Sequence, residues 1–87
     1  MKTMMFPTIH SNGTDYEALG DQYGEARLAV LRAIKALELA EPNGRDYYPQ
    51  GPDAFKRARE EHVARLAKLE SVARDLGVLQ DHCYSYA

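Results

Sequence analysis

The sequence predicts an all-α protein built as one long antiparallel helical hairpin. Two long segments carry apolar residues at alternating spacings of three and four, which is the period of a packed helix face. Between them lies a stretch rich in proline and glycine, residues that interrupt helices. With 87 residues the chain is one domain at most, and its core would be small.

The composition is that of a folded, soluble domain. Hydrophobic residues make up 45% of the chain and charged residues 28%, which argues against intrinsic disorder. A formal net charge of -2 gives no support to nucleic-acid binding, which usually leaves a basic excess. The apolar runs are too short for a membrane span, and "MKTMMFPTI" is too short for a signal peptide. The single cysteine fits a reducing compartment, so we expect a cytoplasmic protein without a membrane or nucleic-acid partner.

The first predicted element is a short extended N-terminal arm over residues 1–13. It contains β-branched and aromatic residues, and it ends at Asn12-Gly13, a pair typical of turns. Its apolar side chains, Phe6 and Ile9, could cover part of a neighbouring helix.

Helix 1 is predicted over residues 14–41. The Thr14 side chain can accept from the amide of Glu17 while the Glu17 carboxylate returns to Thr14, which forms a capping box. Pro42 ends the helix, because the residue before a proline avoids the helical conformation. The predicted packing seam consists of Tyr16, Leu19, Tyr23, Ala26, Val30, Ala33, Leu37 and Ala40.

Helix 2 is predicted over residues 52–76, which completes a hairpin over residues 14–77. Pro52 and Asp53 favour a first turn. Gly77 is expected to take the left-handed conformation that ends a helix, which leaves residues 78–87 as a C-terminal tail. The predicted seam consists of Phe55, Ala58, His62, Leu66, Leu69, Val72 or Ala73, and Leu76.

The connection between the helices also predicts their register. It spans about ten residues, a length that favours antiparallel neighbours. Counting outward from it places Leu37 near Phe55, Val30 and Ala33 near His62, and Tyr23 near Leu69.

A second apolar stripe on helix 1 predicts self-assembly. It lies off the seam and consists of Leu28, Leu31, Ile34 and Leu39. Leaving each of these side chains in water would forgo about 1.5–3 kcal/mol. A second copy would cover the stripe, most simply as a dimer with four helices, or as a higher oligomer. The alternative is that the arm covers it within one chain.

Two glycines in helix 1 predict a close approach. Gly20 and Gly24 each cost about 1 kcal/mol relative to alanine in a helix, and they share one face. The close neighbour would be a second helix in the dimer, or else a ligand or the backbone of the arm.

The sequence gives little support for an enzyme active site or a metal site. The chain has no phosphate-binding glycine loop and no serine in a catalytic motif, so we expect no enzyme and no cofactor. Glu60 and Glu61 precede His62, but Arg59 occupies the position three before it, where a carboxylate would be needed in a bundle metal site. No metal is therefore expected. His62 is interpreted first as a core histidine, with Arg65 pairing with Glu61 one turn earlier.

Two Asn-Gly loops, "TIHSNGT" and "PNGRDYYP", hold the candidate binding residues. Arg45 offers a planar fork for a phosphate or carboxylate, and Tyr47 and Tyr48 offer flat faces for stacking. The alternative is that Asp46 pairs with Arg45 or caps a turn, and that the tyrosines only cover the end of the hairpin. An antiparallel dimer would bring the arm of one chain beside the tyrosine loop of the other. The predicted inter-subunit site comprises Arg45, Asp46, Tyr47, Tyr48, His10, Asn12, Thr14, Arg59 and His62.

The charge distribution favours the same antiparallel arrangement. Residues 15–25 contain four acidic residues and no basic one. Residues 53–68 contain five basic and three acidic residues. Opposite charges would face each other between antiparallel chains, although exposed pairs contribute only a few tenths of a kcal/mol each.

Three motifs, "TIHSNGT", "PNGRDYYPQGPDAF" and "AREEHVARL", resemble those of small phage and prophage helical proteins of unassigned function that share TIHxNGT and PNGRDYYP. The resemblance covers roughly residues 7–76 and carries no catalytic residue. It implies a phage accessory protein in the host bacterial cytoplasm that acts by binding. Such a protein would sequester a small anionic nucleotide-derived signal, or bind and inhibit a host defence protein or a phage protein through its exposed helix stripe.

Overall fold

The computed structural model describes residues 3–10 and 15–87, and in these residues it is helical without any strand. Helix α1 spans Tyr16–Leu39 and helix α2 spans Ala54–Ser85. Two short 3-10 helices, Gly44–Asp46 and Tyr48–Gln50, lie in the connection. The start of α1 contacts the end of α2, so the predicted antiparallel hairpin is confirmed. In the described part of the chain, neither helix has a stretch long and apolar enough to cross a membrane.

Helix α1 begins one residue after its cap, Asp15. The Asp15 Oδ1 atom accepts from the amide of Ala18 at 2.7 Å, which satisfies one of the free amides of the first turn. The predicted capping box on Thr14 is therefore wrong in position, and Thr14 itself lies outside the described residues. The helix ends at Leu39, two residues earlier than predicted, and the amide of Ala40 closes the last turn on Leu37 O at 3.0 Å.

Helix α2 continues through Gly77 to Ser85, so the predicted end at residue 76 and the predicted tail at 78–87 are wrong. Gly77 keeps a negative φ, because glycine permits the left-handed conformation without requiring it. The apolar spacing of α2 also continues past the glycine to Cys83, which is fully buried. Packing of this last part against α1 therefore sustains the helix.

The register of the two helices differs from the predicted one. A Cβ atom added at Gly20 would lie 2.6 Å from Tyr84 Cε1, and one added at Gly24 would lie 2.6 Å from Gln80 Nε2. Each residue of α1 therefore meets α2 about three turns further along than expected, and the prediction that Tyr23 lies near Leu69 is wrong. The close approach at the glycines is confirmed, and the neighbour is the other helix of the same chain.

The register shifts because the connection folds back on α2 instead of only crossing to it. Gly44 packs on the ring of Phe55, since an added Cβ would lie 3.8 Å from Phe55 Cδ2. The guanidinium carbon of Arg59 lies 5.6 Å from the centroid of the same ring. Gly51 turns the chain into α2 with a φ of 112°, a conformation that side chains other than glycine rarely adopt. The first turns of α2 consequently pack against the connection and not against α1.

The line along which α1 meets α2 is displaced from the predicted seam. Leu31 and Ile34, assigned above to the second stripe, are half-buried, whereas three alanines of the seam are exposed: Ala26, Ala33 and Ala40. The α2 seam follows the prediction, with Ala73 buried in place of Val72, which is 44% exposed. Among the described residues, the buried apolar core consists of Ala73 and Cys83.

The arm packs at the open end of the hairpin, where α1 begins and α2 ends. The ring of Phe6 stacks on His82 with centroids 4.7 Å apart, and the carbonyl of Pro7 accepts from His82 Nε2 at 3.2 Å. The amide of Ile9 donates to the Tyr16 hydroxyl at 3.3 Å. The arm therefore covers the end of α2, and the alternative in which it covers the apolar stripe of α1 is wrong.

Candidate ligand-binding groove

A groove with a volume of about 550 Å³ lies at the loop end of the hairpin. It forms because α1 stops at Leu39 while α2 runs further, so the first turns of α2 have no helix beside them. The connection closes the far side of this space and brings Tyr47 against it. The residues that line this loop-end groove are Leu37, Ala40, Pro42, Tyr47, Gln50, Ala54, Arg57, Ala58, Glu61, His62 and Arg65.

Small side chains make room for the groove. Ala54 and Ala58 are four residues apart and therefore lie above one another on α2. Neither side chain extends beyond its Cβ atom, so space remains between α2 and Tyr47. Leu37 and Ala40 close the groove from the end of α1.

The charges around the groove favour an anion. Two arginines, Arg57 and Arg65, line it, and among the described residues Glu61 is the one acidic residue that does so. Glu61 lies 3.9 Å from Arg65, and both side chains are more than half exposed. An ion pair this open is weak, which leaves most of the positive charge available. The pairing of Glu61 with Arg65 confirms the prediction made for these two residues.

His62 occupies the inner wall of the groove. It is 8% exposed, the most buried polar side chain of the described residues. Its neighbours on α2, Ala58 and Arg65, lie four residues before and three residues after it on the same side of the helix. His62 also borders a second depression on the other side of the hairpin, lined by Glu38, Glu41 and Arg59. The interpretation of His62 as a core histidine is compatible with this position, and so is contact with a ligand.

The structure brings together two of the residues predicted to bind a ligand and separates the others. Tyr47 and His62 share the loop-end groove, whereas Arg59 lies over Phe55 beside the second depression. Three residues of the connection, Arg45, Asp46 and Tyr48, are exposed and lie outside the groove lining, with Tyr48 76% exposed. His10 follows the arm to the opposite end of the molecule. The remaining two predicted residues, Asn12 and Thr14, lie outside the described residues.

The exposed position of Arg45 has a local cause. Its amide donates to Asn43 Oδ1 at 3.0 Å, and the amide of Asp46 donates to Asn43 O at 3.0 Å. Asn43 therefore caps the short 3-10 helix and holds Arg45 on its outer side. Asp46 contributes to this turn through its backbone amide, and the side-chain cap comes from Asn43.

Arg57 and Arg65 line the groove but are not among the predicted ligand-binding residues. The sequence suggests that Arg57 lies close enough to the tyrosine loop to join an anion site, and it assigns Arg65 to the pair with Glu61. The spacing that could have identified them is Ala54, Arg57, Ala58, Glu61 and Arg65, which places both arginines on the same side of α2 as the two alanines. Their location opposite Tyr47 depends on how the connection folds back, and the sequence pattern does not contain that information.

The open end of the hairpin has a different character. Its aromatic cluster, defined here as Phe6, Tyr16, His82 and Tyr86, places the rings of Tyr16 and Tyr86 5.4 Å apart and those of His82 and Tyr86 4.9 Å apart. Cys83 follows His82 in α2 and is fully buried, and its burial raises the pKa of the thiol. A buried, protonated thiol is a poor nucleophile, so this end is built for packing.

Neither a group of metal ligands in the described residues nor a similar known protein identifies what the groove binds. In residues 3–10 and 15–87, no three histidine, cysteine, aspartate or glutamate side chains are grouped so that they could hold a metal ion. Comparison with known proteins gives no match, because no family model, no curated sequence and no solved structure is similar to this chain.

Proposed function

We propose that this chain binds a small anionic ligand with a flat ring, such as a nucleotide, in the loop-end groove. The observation that carries the proposal is the convergence of Arg57, Arg65 and Tyr47 on one groove with a single opposing carboxylate. A volume of about 550 Å³ is in the range of pockets that hold small molecules. Guanidinium groups recognise phosphate through paired hydrogen bonds, and a tyrosine ring offers a stacking surface.

Binding itself would be the activity. The resemblance to small phage proteins supports a role in which the protein sequesters a nucleotide-derived signal and thereby counteracts a host defence. Such a protein needs neither a catalytic residue nor a cofactor, and we propose that this chain is not an enzyme. Its place of action would be the cytoplasm of the bacterial host.

The complete site would be shared between chains of a homo-oligomer. Within one chain, the arm that carries His10 lies at the end of the hairpin opposite to Tyr47. A second, antiparallel chain would bring its arm, with Asn12 and Thr14, to the loop-end groove. The proposal thus keeps the inter-subunit site and adds Arg57 and Arg65 to it.

Calorimetric titration tests the proposal with a panel of cyclic dinucleotides and ADP-ribose-type compounds. At least one compound should bind with a dissociation constant below about 100 μM. Arg57→Ala and Arg65→Ala should each weaken binding by about tenfold, because each removes a charge-assisted contact. Arg74→Ala is the matched control, since Arg74 is an exposed arginine of α2 outside the groove.

Two outcomes would contradict the proposal. One is that no compound of the panel binds in the stated range. The other is that Arg74→Ala weakens binding as much as the groove variants, which would indicate nonspecific attraction between a basic chain segment and an anion.

A second candidate function is a protein-interaction module that inhibits a host or phage protein. It is favoured by large apolar side chains that remain in solvent, among them Leu39 at 89% exposure and Val63 at 64%. Single exposed apolar residues are common, but Val78, which is 48% exposed, lies in a groove that Leu31 and Ile34 also line. Pull-down with a candidate partner separates the two functions. Loss of capture in Val78→Asp, at a residue exposed in that groove, with retention in Arg57→Ala would favour this module, and the reverse would favour ligand binding.

A further inference from the structure

We propose that two copies of this chain pair antiparallel through one side of the hairpin, here called the leucine face. Its central residues are Tyr23, Val30 and Leu37 of α1 and Leu69, Val72 and Leu76 of α2. The pairing itself does not depend on the proposed ligand.

Helix geometry shows that the leucine face is one continuous surface. Residues seven apart lie on the same side of a helix. Steps of seven from Leu37, which lines the loop-end groove, lead to Val30 and Tyr23. The same step from Arg65 leads to Val72, and from His62 it leads to Leu69 and Leu76. The face is therefore the extension of the groove side along the whole hairpin.

These residues are incompletely covered by a single chain. Tyr23, Val30 and Leu37 are half-buried, as are Leu69 and Leu76, and Val72 is 44% exposed. Helix α1 meets α2 along Gly20, Gly24 and Leu31, so that the three leucine-face side chains of α1 flank this contact instead of filling it. A seam of this composition is normally the interior of a helical bundle.

The accessible surface of the single chain indicates how much area a second chain could cover. The single chain exposes 6832 Å², whereas a compact monomer of its mass, 9.8 kDa, exposes about 5,200 Å². A standard dimer interface removes about 800 Å² from each partner. The excess is therefore large enough for one such interface, and the hairpin, 18 Å across in its thinnest direction, is a single layer of helices.

The charges select the antiparallel orientation. Lys68 and Asp75 lie four residues before and three residues after Val72, on the outer edge of the same face. In an antiparallel pair centred near Val72, Lys68 of each chain meets Asp75 of the other. The basic segment 53–68 then lies beside the acidic end of the partner, where α1 begins. A parallel pair would instead place like charges opposite each other.

The pairing also completes the groove, a consequence that rests on the proposed function. His62 precedes Val72 by ten residues and His82 follows it by ten. In the antiparallel pair, the aromatic cluster of one chain therefore lies above the loop-end groove of the other. The ligand would then be enclosed between the two chains.

Cysteine cross-linking tests the pairing directly. A single introduced cysteine can form a disulfide between two identical chains only near the two-fold axis. Under oxidation by diamide, Val72→Cys should give a covalent dimer as the main product. Arg74→Cys, which is exposed on the opposite flank of α2, should give little. The native Cys83 is an internal control, because it is fully buried.

Charge exchange tests the orientation in sedimentation experiments on the full chain. Lys68→Glu and Asp75→Lys should each raise the dimer dissociation constant about threefold, and the double variant should restore it. A monomeric wild-type chain at micromolar concentration would overturn the proposal. So would equal cross-linking of Val72→Cys and Arg74→Cys, or a double variant weaker than both single ones. Ligand binding by a monomeric chain would overturn the pairing and the shared site, and it would leave binding in the loop-end groove intact.

Discussion

The two ends of the hairpin differ in what their side chains accomplish. At the open end, the arm, α1 and α2 converge on stacked rings and a fully buried cysteine. At the loop end, α2 is accompanied only by the connection, and a charged groove remains between them. Closely packed side chains stabilise a fold, whereas a gap left between side chains can accept a ligand. The stability of this small protein therefore depends mainly on the end that is remote from its candidate site.

The largest loss of stability is expected when a side chain is added where the two helices approach closely at the open end. Gly20→Leu should destabilise the protein by about 2 kcal/mol, because an added Cβ already lies 2.6 Å from Tyr84 Cε1 and 3.2 Å from Cys83 Cβ. Urea unfolding followed by circular dichroism measures the change. Gly24→Ala is the control, since the added Cβ would meet only the amide end of Gln80, which can move. Equal destabilisation by both variants would contradict the assigned contact.

A smaller loss is expected at the loop end. Gly51→Ala should lower the free energy of unfolding by about 1–2 kcal/mol, because a φ of 112° is strained for any residue with a side chain. Gly44→Ala is its control: the φ of Gly44 is not positive, and an added Cβ would lie 3.8 Å from Phe55, an ordinary contact distance. Thermal unfolding measures both. If Gly51→Ala were neutral while ligand binding was lost, the connection would serve the site and not the stability.

The smallest effect is expected on the pH dependence of the protein's stability, through Tyr84 at the open end. The Tyr84 hydroxyl donates to Asp21 Oδ1, and this hydrogen bond raises the pKa of Tyr84 above its ordinary value of 10.0. A raised pKa in the folded state stabilises the protein below pH 10, and this contribution disappears as the pH rises through the folded-state pKa. Tyr84→Phe should therefore be less stable than the wild type at neutral pH, with the difference shrinking above pH 10. A difference that stays constant with pH would contradict this role.

Much of the fold could be predicted from the sequence. Apolar spacing identified both helices and nearly all of the α2 seam, and a spacing of four identified the pair Glu61 and Arg65. The end of α2 could not be predicted, because Gly77 permits a helix end that packing overrides. The cap of α1 was ambiguous, since Thr14 and Asp15 are both good capping residues and occupy adjacent positions.

The site was less predictable than the fold because it depends on the register. Tyr47 and His62 could be selected from their residue types and reach the groove. Arg45 has a more suggestive position in the sequence than Arg57, yet the turn at Asn43 holds it outside. Which arginine faces Tyr47 is decided by the path of the connection, a tertiary feature that local patterns do not encode.

The unequal lengths of the two helices have a consequence for how such a site could arise and change. Helix α1 has 24 residues and α2 has 32, which is a difference of about 12 Å at 1.5 Å per residue. The groove occupies this overhang. Insertion or deletion of a single helical turn near residue 40 would deepen, narrow or erase the binding space while the open end kept its packing. Homologous chains could therefore adapt to ligands of different length by changing the length of one helix, without altering the residues that hold the hairpin together.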